Sequence, residues 1–395
     1  MNVKSRMRVV VWTLVGASGL AGQDASATRP CDTKPAAASR PAGWTEFRGG
    51  PFNVGVASGP APALRRIRWT YQSASAVRCQ PIVADGRVIV LTQESLVAAV
   101  RASDGRELWR RRVEAPLRDA DGAPAGEGFA WAAPLAIGDL VVAAHEGGVV
   151  YALDAATGEI RWRRRVSDRI WAAPKTDGFR IYVSTYDGAF VALDPATGDE
   201  VRRTPLHYEI GATPTLVGRT AWQPLRHGLR MCVVDLDTGL AENVETGWNS
   251  ASTPASALAR LYLTNSRGED LCFDPVRRET LWRRKQPGDF DRNGPACDGE
   301  RVYFARSGAV RAYDPFSGET VWERILMFPI YASPTVVDDV LILPTAGKNV
   351  FALSRGTGRI VASLDLPEEI VGSAAVADGS AYLAGSATGG VYAID

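Results

Sequence analysis

The stretch that decides the architecture is GVVYALDAATGEIRW, Gly148–Trp162. Apolar and small residues alternate through Val149–Leu153, a turn follows at Asp154–Gly158, and a second run ends on tryptophan. Alternation over four to six residues, broken by a T-G turn, is the pattern of an antiparallel hairpin. The Asp154 carboxylate can accept turn N–H groups as in an Asx turn, and Gly158 can supply the positive φ that a tight hairpin needs. Ala152 is small enough for a neighbouring sheet to approach, and Trp162 is large enough to fill the gap.

The phrase recurs. GAFVALDPATGDEVR, Gly188–Arg202, is a second copy, and the pattern A-x-D-x-x-x-G-x-x-x-W returns as Ala312, Asp314, Gly318 and Trp322. Partial copies are Cys272, Asp274, Arg278 and Trp282, then Ala99, Gly105 and Trp109, and finally Ala352 and Gly358. A proline behind small residues marks the same period: Pro81, Pro134, Pro174, Pro214, Pro254, Pro295 and Pro334. From Pro134 onward the spacings are 40, 40, 40, 41 and 39, and another 40 lands on Ala374 in GSAAV. The first gap, 53, leaves room for an insertion at Glu114–Gly128. Each period holds four short β segments and none with a helical period. Four strands per forty residues is the pattern of a propeller blade.

Eight units follow from the count, and the last is incomplete. GGVYAID, Gly389–Asp395, supplies only the third strand. The missing fourth strand is expected at the other end, in LRRIRWTY, Leu64–Tyr71. Trp69 precedes Pro81 by 12 residues, as Trp162 precedes Pro174 and Trp322 precedes Pro334. The expected fold is therefore all-β: an eight-bladed propeller over residues 64–395, closed by the strand around Trp69. Closure removes the open edges on which a linear array would aggregate.

The motif resembles the tryptophan-docking repeat of the PQQ-like propellers, shared by quinoprotein dehydrogenases and by outer-membrane assembly lipoproteins of the BamB type. WTEFRGGPFNVGVAS, Trp44–Ser58, is similar to the lead-in of bacterial PQQ-like repeat proteins, so residues 43–63 are set apart as a lead-in segment. The resemblance implies either a binding scaffold for protein or extended peptide, in envelope or outer-membrane assembly, or a PQQ-dependent dehydrogenase. The dehydrogenases carry large insertions, a calcium site, a catalytic Asp and often an adjacent cysteine pair. Calcium takes six or more oxygen ligands, whereas the loop acids Glu209, Asp289, Asp291, Glu368 and Glu369 are scattered around the ring. A non-catalytic scaffold without cofactor, metal or catalytic residues is the expectation.

Composition agrees with an exported binding protein. Lys4, Arg6 and Arg8 precede an apolar stretch of 12 residues, Val9–Leu20, and ASA ends at Ala27, so residues 1–27 read as a signal peptide and residues 28–42 as a disordered linker. Gln23 stands where a lipoprotein signal requires cysteine. The stretch is too short to span a bilayer. Lys and Arg number 45 against 44 Asp and Glu, which argues against a nucleic-acid partner. The expected location is periplasmic or secreted, as a monomer or within an envelope complex.

The five cysteines, Cys31, Cys79, Cys232, Cys272 and Cys297, have neither metal nor haem spacing and read as buried apolar residues. His145, His207 and His227 lie on loops of one face in separate blades and read as surface polar residues. The arginine runs after Trp109, Trp162 and Trp282, with Arg202 and Arg203, read as charges that protect exposed outer strands. The candidate binding face comes from register. Three positions before each marker proline, or its equivalent, stand Arg78, Trp131, Trp171, Gly211, Ala251, Arg292, Tyr331 and Val371. Aromatic and arginine side chains are enriched in binding hot spots, which singles out Arg78, Trp131, Trp171, Arg292 and Tyr331.

Overall fold

The computed structural model describes residues 43–113, 132–250, 252–287 and 293–395. The expected signal peptide and linker lie outside the described residues, as do Cys31, Trp131, Arg292, Asp289, Asp291, Ala251 and the insertion 114–128. Eight antiparallel sheets follow one another around a ring. Blade 2 shows the plan, running from the channel outward through Leu135–Ile137, Leu140–Ala144, Val149–Asp154 and Ile160–Arg165. The first three strands are buried throughout, whereas on the outer strand little besides Trp162 is covered.

Blade 8 takes Ala375–Ala377, Ser380–Ala384 and Gly390–Ile394 from the C-terminal part and Ile67–Gln72 from the N-terminal part. The closing pair is antiparallel, with Trp69 opposite Ala393 and Tyr71 opposite Val391. Glu368, on the loop leading into this blade, clasps it. Its buried carboxylate accepts the N–H groups of Ala387, Thr388 and Gly390 and the hydroxyls of Thr388 and Tyr392.

The seams between blades explain the repeat. Asp154 accepts the Ala156 and Thr157 N–H groups at 3.0 and 2.8 Å, as an Asx turn requires. Its contact with Arg161, helped by those turn bonds, lowers its pKa to about 2. Gly158 has φ +71°, and it also faces the indole of Trp109 from the preceding blade. The same pairing joins Trp69 to Gly105, Trp162 to Gly198, Trp282 to Gly318 and Trp322 to Gly358. In each, a Cβ on the glycine would sit 2.4–2.6 Å from the ring. Each indole N–H then donates to a carbonyl of that next turn, at 2.8–3.1 Å.

The arginine two residues beyond the tryptophan reaches the same place. Arg111, Arg164, Arg284 and Arg324 donate through Nε to the carbonyls of Gly158, Gly198, Gly318 and Gly358. One member of each basic run is therefore a bond between blades, which the reading as edge protection did not anticipate. Three seams depart from the rule, and at the one from blade 7 to blade 8 Ala362 stands where the tryptophan would. Arg202 replaces tryptophan and fills the space over Gly239, donating to the Leu236 carbonyl. At the next seam the outer strand lacks the register shift of the tryptophan-bearing blades, so Glu242 stands opposite Val233 where a tryptophan would, Arg278 replaces the glycine, and the two form a two-pronged pair at 2.5 and 2.6 Å.

Two stability predictions follow from the seams and the closure. Gly158→Ala should cost about 2–4 kcal/mol in urea unfolding, from strain at positive φ plus overpacking against Trp109. Gly138→Ala has the same φ sign but open space around it, and should cost only about 1–2 kcal/mol. Equal costs would remove the indole from the explanation. A chain starting at Gly43 keeps lead-in and closing strand, one starting at Gly59 loses the lead-in alone and one starting at Thr70 loses both, so aggregation in size-exclusion chromatography should rise from each to the next, and equal aggregation of the last two would remove the closing strand from the explanation.

Candidate functional site

The lead-in segment occupies the central channel. Its carbonyls meet the inner strands one blade after another: Trp44 accepts from Val83, Thr45 from Ala136, Pro51 from Leu216, Phe52 from Ser256, Val54 from Cys297 and Gly55 from Val336, all at 2.8–3.0 Å. In blade 3 the contact is a side chain, with Lys175 Nζ donating to the Phe47 and Gly50 carbonyls at 3.0 and 2.6 Å. Val56–Ala57 then pairs in parallel with Thr335–Val337 as a fifth strand on blade 7. The segment thus visits blades 1 to 7 in order.

Its charges are buried and matched. Lys175 Nζ lies 3.0 Å from Glu46 Oε2, and both side chains are essentially inaccessible. The Arg48 guanidinium, 1% exposed, donates to the Asn53, Gly294 and Pro295 carbonyls. Burial lowers its pKa to about 9, which still leaves it charged at neutral pH. The Arg48 N–H donates to Gln80 Oε1, and Gln80 Nε2 donates to the Ala374 carbonyl of blade 8. Asn53 donates to the Pro214 carbonyl and the Thr215 hydroxyl. Buried polar groups demand partners, and here the ring supplies them.

Above this stopper a cavity of about 110 Å3 opens, with Phe47 among its walls. The five described positions taken from the proline register, Arg78, Trp171, Gly211, Tyr331 and Val371, all line it. A step deeper comes a crescent of hydroxyls that links neighbouring blades. Thr213 accepts the Ala173 N–H, Thr253 the Thr213 N–H, Ser333 the Gly294 N–H and Ser373 the Ser333 N–H.

On the rim, Trp171 and Tyr186 meet edge to face at 4.5 Å between centroids. The Arg169 and Arg226 guanidinium carbons lie 5.2–5.9 Å from the two ring centroids, within range of cation–π attraction. Glu146 accepts the Trp171 indole N–H at 3.2 Å, and Glu209 accepts the Tyr186 hydroxyl at 2.9 Å. Four blades away the loop entering blade 7 exposes Met327 at 87% and Tyr331 at 53%. Sequence reasoning placed Trp171 but missed Arg169, Tyr186 and Arg226. The last two lie on second-to-third-strand loops that the proline register does not sample.

A model of the PQQ_2 family, described as outer membrane protein assembly factor BamB, matches residues 62–127, 93–305 and 218–395. The chain belongs to that family. Outer membrane protein assembly factor BamB of Bordetella pertussis is 28% identical over 105 residues, 26% of this chain and 24% of that protein, so the match spans about a quarter of the relative's length. Among solved structures, BamB from Moraxella catarrhalis superposes with a TM-score of 0.63 at 18% identity, covering 83% of this chain and 98% of that one. Quinohemoprotein alcohol dehydrogenase from Comamonas testosteroni gives 0.70 at 14% identity over 91% and 81%. At these identities the structural likeness shows the fold alone.

The residues do not fit a quinone cofactor with its calcium ion. Among the described residues no three of His, Cys, Asp and Glu gather to hold a metal, and no carboxylate lines the cavity. The cavity is also smaller than the ~300–1,000 Å3 typical of sites for whole small molecules. The one pairing of serine with histidine is set the wrong way for catalysis. His145 Nδ1 accepts the Gly147 N–H at 2.9 Å, so the neutral ring carries its proton on Nε2 and donates it to Ser95 Oγ at 2.6 Å. A nucleophilic serine would need the reverse. His145 is also buried, 7% exposed, contrary to the surface reading, because it bridges blades 1 and 2. His207 is exposed and His227 lies 3.7 Å from Glu209. Glu368, read as a loop acid, is the buried clasp already described. Cys79, Cys232, Cys272 and Cys297 are free and buried, and burial raises their thiol pKa to about 11–12.

The stopper makes a measurable demand on the buried pair. Lys175→Met should cost about 3–5 kcal/mol in denaturant unfolding, because it strands the Glu46 carboxylate. Adding Glu46→Gln should recover a large share of that loss. Additive costs in the double variant would show that the pair is not coupled.

Proposed function

We propose that this protein is an exported, non-catalytic scaffold of the cell envelope, working in outer-membrane protein assembly and holding a protein or extended peptide on its funnel face. The observation that carries the reading is the rim cluster of Trp171, Tyr186, Arg169 and Arg226, opposed across the funnel by Met327 and Tyr331. Half-buried aromatic and arginine side chains already held by one another lose little freedom on binding, which favours a hot spot. Family membership supports the assembly role, and the signal-like residues 1–27 support export. No helix among the described residues is long and apolar enough to cross a membrane. The channel stopper, and a cavity wall without carboxylates among the described residues, support a non-catalytic role.

Replacing Trp131, Trp171 and Tyr331 together by alanine tests the reading. Crosslinking in intact cells and mass spectrometry should show partner capture falling at least tenfold, with the melting temperature shifted by only a few degrees. Capture that persists, with the melting temperature strongly lowered, would assign these residues to packing.

A further inference from the structure

An outer strand leaves a row of main-chain groups open to pairing, and this ring guards its outer strands by two devices. The first is a bulge. In seven of the eight blades the outer strand slips by one residue against its neighbour, which bends the edge and breaks the ladder. The second is positive charge, plainest in the arginine runs of blades 1, 2, 3 and 5. The outer strand of blade 4, Ala241–Glu245, has neither device. It pairs with Arg230–Asp235 in unbroken register, and its only charges are those of Glu242 and Glu245. Blade 7 also lacks bases on its outer strand, Ile360–Asp365, but that strand is bulged.

The blade 4 edge is both open and firmly held. Leu229 accepts the Thr246 N–H and Leu240 the Asp235 N–H, at 3.0 and 2.9 Å, which sets the phase of the ladder. Inward and outward bonding alternate along an antiparallel strand, so Ala241, Asn243 and Glu245 turn their N–H and C=O groups outward. Nothing pairs with that edge among the described residues. Val244 is buried against Trp248 and Phe273 in the seam with blade 5, while the other four residues of the strand are exposed.

A row of free main-chain groups fits another extended chain, and the charges say which kind. The Glu242 and Glu245 side chains are 56% and 66% exposed, each more open than the arginine it meets, Arg278 at 48% and Arg230 at 27%. A carboxylate accepts more hydrogen bonds than one arginine supplies, so both acids can take a further cation. A second copy of this strand would bring four carboxylates together, and like charges on paired strands are destabilising. We propose that the outer edge of blade 4 receives an extended basic segment of a partner protein as a fifth strand. The segment pairs through Ala241, Asn243 and Glu245 and matches its cations to Glu242 and Glu245. This site lies on the outer wall of the ring and stands apart from the funnel reading. The arginine-bearing edges repel the same segment, so one blade is selected.

Fluorescence anisotropy on the full chain tests this with labelled, end-capped nine-residue peptides of threonine and valine that carry three lysines or three glutamates. The lysine peptide should bind at least tenfold tighter than the glutamate peptide. Lysine peptides N-methylated at odd or at even positions separate strand pairing from plain charge attraction. Only alternate N–H groups face the edge, so one methylated form should bind like the parent and the other at least tenfold more weakly. Hydrogen exchange should slow within residues 241–245 on binding and on no other outer strand. Asn243→Lys gives this edge the charge that guards the others, at an exposed position. It should weaken the lysine peptide at least tenfold with the melting temperature held, whereas Asn243→Gln should bind as the parent does. Equal binding of lysine and glutamate peptides, equal binding of the two methylated forms, or protection on another blade overturns the inference. A dimer in sedimentation velocity that Asn243→Lys dissolves would give the edge to a second copy and overturn it as well.

Discussion

The ring depends on a bare backbone carbon beneath an indole. Five of the eight blades cover their neighbour by laying a tryptophan on the turn glycine, where even a methyl group would collide with the ring. The contact combines apolar burial with a directed N–H bond to a carbonyl, so it fixes both the distance and the angle between sheets. Burial alone would allow sliding. A directed bond at the five tryptophan seams repeats the same rotation, and equal rotations are what allow a chain of sheets to return to its start.

The seams without a tryptophan keep contact between blades in different ways. Where the outer strand carries Arg202, the facing Gly239 remains, because the arginine stem still lies across it. Where the outer strand carries Glu242, the glycine is replaced by Arg278, which bonds back to it. Blade 7 has Ala362 at this position, opposite Ala352. Most seams join residues 36 or 37 positions apart, and the one from Trp109 to Gly158 joins residues 49 apart.

That spacing marks what a sequence can disclose. The hairpins, the blade count and the closing strand at Trp69 were legible because alternation and turn chemistry act within about ten residues. The rim positions Arg78, Trp171 and Tyr331 were legible because the period carries register from blade to blade. The role of Gly158 was read only in part: its positive φ is local, but the Trp109 indole above it comes from another repeat. The lead-in defied reading for a related reason. Glu46, Arg48 and Asn53 look like solvent-facing residues, and their partners Lys175, Gly294 and Pro214 are set by the closed ring. His145 misled in the same way, since Ser95 meets it from the preceding blade.

The winding of residues 43–57 through the channel also bears on how the molecule folds. Its partners run from Val83 to Val336, so most of its contacts span a large part of the chain. The closing strand likewise waits for Gly390–Ile394. Contacts of such long sequence separation form slowly, because loop entropy is lost before they stabilise anything. The first described segment of the chain is thus among the last to settle, and until it does the channel strands keep their inward N–H groups unpaired. An unfinished ring is correspondingly exposed to pairing with other extended chains.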